Sequence, residues 1–153
     1  MKRYTLIAVI ALFILNNNTA QMTKDKLFFS KKVQGTFEEV YEKVNNSIQA
    51  NGFGVVTELS MDKKLKEKLD VEIGTYHILG ICNPKLAHEA IQVEENIGVF
   101  LPCKLIIKKV NDTEYEVVTF NPSLMMGVME NEELNIIADK VSMHLIAILD
   151  NIK

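Results

Sequence analysis

The chain has 153 residues, a formal net charge of −3, two cysteines and no tryptophan. That length supports one domain with its own core, without disulfide or metal staples. The acidic balance argues against nucleic-acid binding, which depends on neutralising phosphates with basic side chains.

The first twenty residues, MKRYTLIAVIALFILNNNTA, have the layout of a secretory signal peptide. Lys2 and Arg3 form a positive start, and Leu6 to Leu15 is an uncharged apolar run. The run is shorter than the roughly 17–25 apolar residues that span a bilayer. Ala20 suits the last position before cleavage, although Asn18 is not the small residue expected two positions earlier. The expectation is export to a periplasmic or extracellular space, with no stable membrane insertion afterwards. Removing residues 1–20, which carry two basic and no acidic side chains, leaves 133 residues with 15 basic and 20 acidic groups. The mature net charge is then near −5. Residues 21–26 form a polar leader, and 27–153 a single domain.

Leu27 to Val33 is a short strand candidate ended by Gly35. Thr36 and Glu39 make a capping box, and Phe37, Val40, Tyr41, Val44 and Ile48 recur at helical spacing behind it. Gly52 suits the left-handed position that closes this helix. Phe53 to Ser60 alternates as a strand with Phe53, Val55 and Leu59 on one face. Asp62 can cap a short basic helix reaching Leu69. Its lysines, alternating with Glu67, read as a solvated face.

Tyr76 to Cys82 is the next strand; Asn83 then caps a helix, with Pro84 at its first position. Gly98 to Val110 and Glu114 to Phe120 flank the hairpin turn Asn111-Asp112-Thr113. Alternation puts Val99, Leu101, Cys103, Leu105 and Ile107 on one inward face, with Pro102 marking an edge, bulge or bend. A long helix from about Glu132 to Asn151 closes the chain; Met143 and Ile146 widen its apolar stripe and suggest a second buried contact. The order strand, helix, four strands, helix, with two small helices inserted, predicts an α+β fold. A mostly antiparallel sheet carries two long helices on one face. Its other face needs solvent or a partner, and a homodimer is the simplest cover.

The residues that could do chemistry lie in ICNP, residues 81–84, and LPC, residues 101–103. Cys82 precedes a helix cap, where the helix N-terminus can lower a thiol pKa and favour thiolate. The bland alternative is an inert packed thiol. Cys103 reads as a core residue on its strand face. A disulfide between them would close a loop of about 20 residues, worth about 3 kcal/mol by chain entropy, if the backbones lie close enough. Soft-metal binding, for example Cu(I), is a weaker alternative that draws on sulfur from the cysteines and from Met125, Met126 and Met129. His77, His88 and His144 show no tight metal-ligand spacing: His77 reads as a sheet histidine and His88 as solvated. No nucleophilic triad order, phosphate loop or dinucleotide fingerprint is present, so the reading leans away from an enzyme.

GFGVVTELSMDKKLKEKL, YHILGICNPKLAHEAI, IGVFLPCKLIIKKV and VTFNPSLMM, in that order, resemble the bacterial family named domain of unknown function 302. The resemblance covers about residues 45–150. It implies a small fold similar to the TATA-box-binding-protein-like arrangement, and dimers. It sets Cys82, Asn83, Pro84, Pro102 and Cys103 on the family's signature positions and brings no established reaction. Three expectations follow for function. The first is an exported, dimeric, non-enzymatic module that binds a small ligand or partner near those five residues. The others are a thiol redox protein or sensor using Cys82, and an assembly module whose cysteines are core.

Overall fold

A computed structural model describes residues 26–153. The signal-peptide reading lies outside the described residues, as does most of the polar leader. A five-stranded sheet runs in the spatial order β1-β5-β4-β3-β2, with every neighbouring pair antiparallel. Its strands are β1 (Phe28–Gln34), β2 (Gly54–Ser60), β3 (Tyr76–Cys82), β4 (Cys103–Asn111) and β5 (Glu114–Phe120). The helices are α1 (Phe37–Ala50), α2 (Met61–Leu69), α3 (Pro84–Val93), α4 (Pro122–Met126) and α5 (Glu132–Asp150). The α+β expectation is met.

Helix α1 starts where the capping box demands: the Thr36 hydroxyl accepts from the Glu39 N–H, and the Glu39 carboxylate accepts from the Thr36 N–H at 2.8 Å. Its stripe Val40, Val44 and Ile48 packs with Leu145, Ile148 and Leu149 of α5 on one face of the sheet. Leu79, Ile81, Cys103, Leu105, Ile107 and Val117 supply that sheet face. A second apolar cluster lies beyond the strand ends. It joins Ala90 of α3, Ile97, Met126 of α4, and Leu134, Ile137 and Ala138 of α5. Helix α5 therefore serves two clusters in succession, while Met143 is exposed and does not make the second contact expected of it.

Three local expectations are corrected. Residues 95–100 form a 3-10 helix, and β4 begins only at Cys103. Val99 is thus 84% exposed instead of inward, although Cys103, Leu105 and Ile107 keep the expected face. Strand β2 carries a bulge between Val55 and Thr57. The extra residue reverses the alternation, so Leu59 turns to the opposite face from Val55. Helix α2 starts at Met61 with Ser60, not Asp62, as its N-cap; the Ser60 hydroxyl bonds no helix N–H.

The outer sheet face carries one registered apolar row. Leu59 stands opposite Ile78, Ile78 opposite Ile106, and Ile106 opposite Val118. The three β3–β5 residues are half-buried, and Leu59 is 38% exposed. Ion pairs Lys108–Glu116 at 2.9 Å and Lys32–Glu114 at 3.1 Å link neighbouring strands beside the row.

Candidate functional site

The two cysteine motifs meet where β3 ends and β4 begins. Ile81 pairs with Cys103 across the ladder, and Cys82 pairs on the other side with Gly54. Both thiols are free. The Asn83 side chain makes three hydrogen bonds at this corner. Its Oδ1 accepts from the Lys85 and Leu86 N–H groups at 3.1 and 3.2 Å, capping α3. Its Nδ2 donates to the Gly52 carbonyl at 2.9 Å, tying α3 to the turn after α1. That turn needs Gly52, which sits at φ 76° in the left-handed region. Pro84 occupies the first helical position, as the sequence indicates.

Pro102 follows a cis peptide bond and packs on β3. A Cβ on Gly80 would come within 2.6 Å of the proline Cγ, and would also strike the Thr57 hydroxyl. Gly80 is therefore the residue that lets the proline and β2 approach β3 together.

Between the two apolar clusters lies a cavity of about 60 Å³, within about 550 Å³ of free space that includes its open mouth. Cys82, Asn83 and Cys103 line it, together with residues of α3, α4, α5 and the 3-10 helix. Pro84 and Pro102 do not; they shape its frame. Of the methionines singled out above, Met126 lines the cavity, whereas Met125 and Met129 pack against the second cluster. The chemistry of the wall is apolar, and none of its eighteen residues is charged.

The electrostatics contradict an activated thiol. Burial pushes the Cys82 thiol above its ordinary value. Cys103 is pushed up to about 11, by burial first and then by the neighbouring Cys82. Burial sets the direction at Cys82, and Asn83 Oδ1 already takes the first N–H groups of α3. Among the described residues, no group of three or more His, Cys, Asp and Glu side chains could hold a metal ion. No described helix is long and apolar enough to cross a membrane.

Much of the lining was not legible in the sequence: Phe53 precedes β2, Ile97 lies in the 3-10 helix, and Leu134 and Val141 both belong to α5. Their only signal is apolarity, which core residues share. Nor was a polar chain at the opposite end of β3. Tyr41 donates to Glu58 at 2.6 Å, Glu58 lies 3.2 Å from His77 Nε2, and Ser60 Oγ lies 3.1 Å from His77 Nδ1. Phe37 and Tyr41 pack edge-on against the imidazole. This explains the uncapped start of α2, since the Ser60 hydroxyl is turned to His77. His77 is a satisfied sheet histidine, as expected, and His88 is exposed. His144 packs against Phe53, with ring centres 5.7 Å apart.

The sequence profile of Domain of unknown function DUF302 matches residues 29–152. The chain belongs to the DUF302 family. A crystal structure of an uncharacterized conserved DUF302 protein from Bacillus stearothermophilus is similar, with 30% identity and a TM-score of 0.77. The match covers 83% of this chain and 98% of that one. Among curated proteins, none matches the chain. The DUF302 profile spans both cysteine motifs and both apolar clusters, so the cavity lies wholly inside the family's domain.

Proposed function

We propose that this DUF302 domain is an exported, dimeric, non-enzymatic module that binds a small ligand in the cavity between its two apolar clusters. The observation that carries the reading is the cavity itself. Tightly packed interiors leave few voids larger than a water molecule, and apolar ones stay dry and accept apolar guests. This one is open at its mouth and framed by the Asn83 cap and the Pro102–Gly80 contact. Export is supported by the layout of residues 1–20. A homodimer is supported by the registered row Leu59, Ile78, Ile106 and Val118, an apolar strip on the sheet face opposite the cluster that α1 and α5 cover.

Hexane-saturated buffer tests the ligand reading. Binding to the native state raises Tm by mass action. The wild type should gain several degrees and a variant with the cavity filled, Ala138→Phe, should gain none. An unchanged wild-type Tm contradicts the reading.

One observation favours a second reading. Cys82, Cys103 and Met126 bring three sulfur atoms to the walls of the same cavity, which suits a soft ion such as Cu(I). Competition against a Cu(I) chelator tests it, with tight one-to-one binding expected and lost in Cys103→Ser. A redox role for Cys82 loses support from the raised pKa of its thiol.

A further inference from the structure

Resting on the ligand-binding reading above, we infer that the cavity selects an uncharged aliphatic molecule and rejects the carboxylate of the same chain length. Four observations converge on that class. No charged side chain lines the cavity, so an anion entering it meets no counter-charge. The α3 N-terminus, the natural anion receptor at this corner, is already occupied: Asn83 Oδ1 takes the N–H groups of Lys85 and Leu86. The amide Nδ2 of Asn83 is neutral and is anchored by one N–H to the Gly52 carbonyl, which fixes it away from the role of counter-charge. The two remaining polar groups are thiols, weak donors that stay neutral at ordinary pH.

The lysine that follows Cys103 in the chain points elsewhere. Lys104 donates to the Pro102 carbonyl at 2.7 Å, is exposed, and does not line the cavity. A carboxylate entering this space would lose its hydration and gain no partner, a large penalty. A hydroxyl loses less and can stay at the open mouth. The space an aliphatic chain would fill lies between Ile81 and Cys103 of the first cluster and Leu134 and Ala138 of the second.

The test uses two probes, 1-hexanol and hexanoate, titrated at pH 7.5 into methyl-labelled protein and followed by NMR. Shifts of Ile81, Ile97 and Leu134 report the cavity, and Ile78 and Ile106 on the outer sheet face report non-specific contact. The expected result is saturable hexanol binding confined to the cavity methyls, at least tenfold tighter than hexanoate, and lost in Ala138→Phe. Should that variant fail to fold, Ala87→Leu narrows the same cavity from half-buried α3 and must weaken hexanol likewise. Hexanoate binding as tightly as hexanol overturns the selectivity and leaves the ligand-binding reading standing. Shifts confined to the outer face, or no binding of either probe, overturn both.

Discussion

Ile81, not Cys82, stands opposite Cys103 in the β3–β4 ladder. Strand alternation therefore carries Cys82 away from the cross-strand position, and the two thiols reach the cavity separately. Both lie in an apolar setting that disfavours thiolate. Alkylation should consequently be slow at neutral pH. The Cys103 rate should rise with a midpoint at about 11, and that of Cys82 above its ordinary value. A Cys82 midpoint well below the ordinary thiol range, read from rate against pH in the Cys103→Ser protein, would restore the redox reading.

The same shift makes stability fall at high pH. The folded-state Cys103 pKa is raised from 9.0 to about 11, so the unfolded chain loses its proton first as pH rises. The contribution is complete below the unfolded value and is lost progressively as pH climbs through the folded one. It amounts to about 2–3 kcal/mol. Urea unfolding of wild type and Cys103→Ala at pH 8 and pH 10.5 checks this, with the steeper loss expected in the wild type.

Gly80 has no room for a side chain. A Cβ there would collide with the Pro102 ring at 2.6 Å and with the Thr57 hydroxyl. The hydroxyl can rotate, but the ring is held by its backbone. Gly80→Ala should cost about 1–3 kcal/mol in urea denaturation, as overpacked interiors do. A neutral substitution would show that β3 and the LPC segment are not pressed together.

Asn83→Ala removes both the α3 cap and the tie to Gly52. The domain should stay folded and lose about 1–2 kcal/mol. Amide exchange should speed up at the start of α3 and at the 51–53 turn together. Acceleration at α3 alone would mean that the Gly52 bond contributes little.

Tyr41 should titrate above the ordinary tyrosine value, chiefly because its hydroxyl donates to Glu58. Ultraviolet titration of Glu58→Gln, with the other tyrosines replaced by Phe, should move the Tyr41 midpoint down. An unmoved midpoint would show that the Tyr41–Glu58 bond is not formed in solution.

The elements that were legible in the sequence are those whose signals are local. Thr36 with Glu39, and Asn83 with Pro84, announce helix starts that depend on a few neighbouring residues, and both stand where expected. What failed was decided by partners distant in the chain. Residues 98–102 alternate well enough to read as strand, yet the chain takes a 3-10 turn and Ile97 buries itself in the second cluster. Leu59 changed faces because one bulge residue inverts alternation, and nothing in VVT, residues 55–57, advertises the bulge. Asp62 does not cap α2, which starts at Met61 directly after Ser60, and the Ser60 hydroxyl turns to His77, seventeen residues away. The five signature residues gather at one corner of the molecule, whereas the cavity beside three of them also needs α4 and α5 folded over it.

The outer sheet face gives a separate forecast. With Leu59, Ile78, Ile106 and Val118 aligned in one row, sedimentation at micromolar concentration should report a dimer. Ile106→Lys should return a folded monomer. A monomeric wild type removes the dimer from the account and leaves the cavity untouched.

The most direct test of the central claim is xenon in a crystal of the protein. Xenon seeks accessible apolar cavities and ignores polar, hydrated ones. The account predicts an anomalous peak between Ile81 and Cys103 on one side and Leu134 and Ala138 on the other, absent in Ala138→Phe. Ordered water filling that space, or no xenon there at a pressure that occupies other apolar sites, would contradict it.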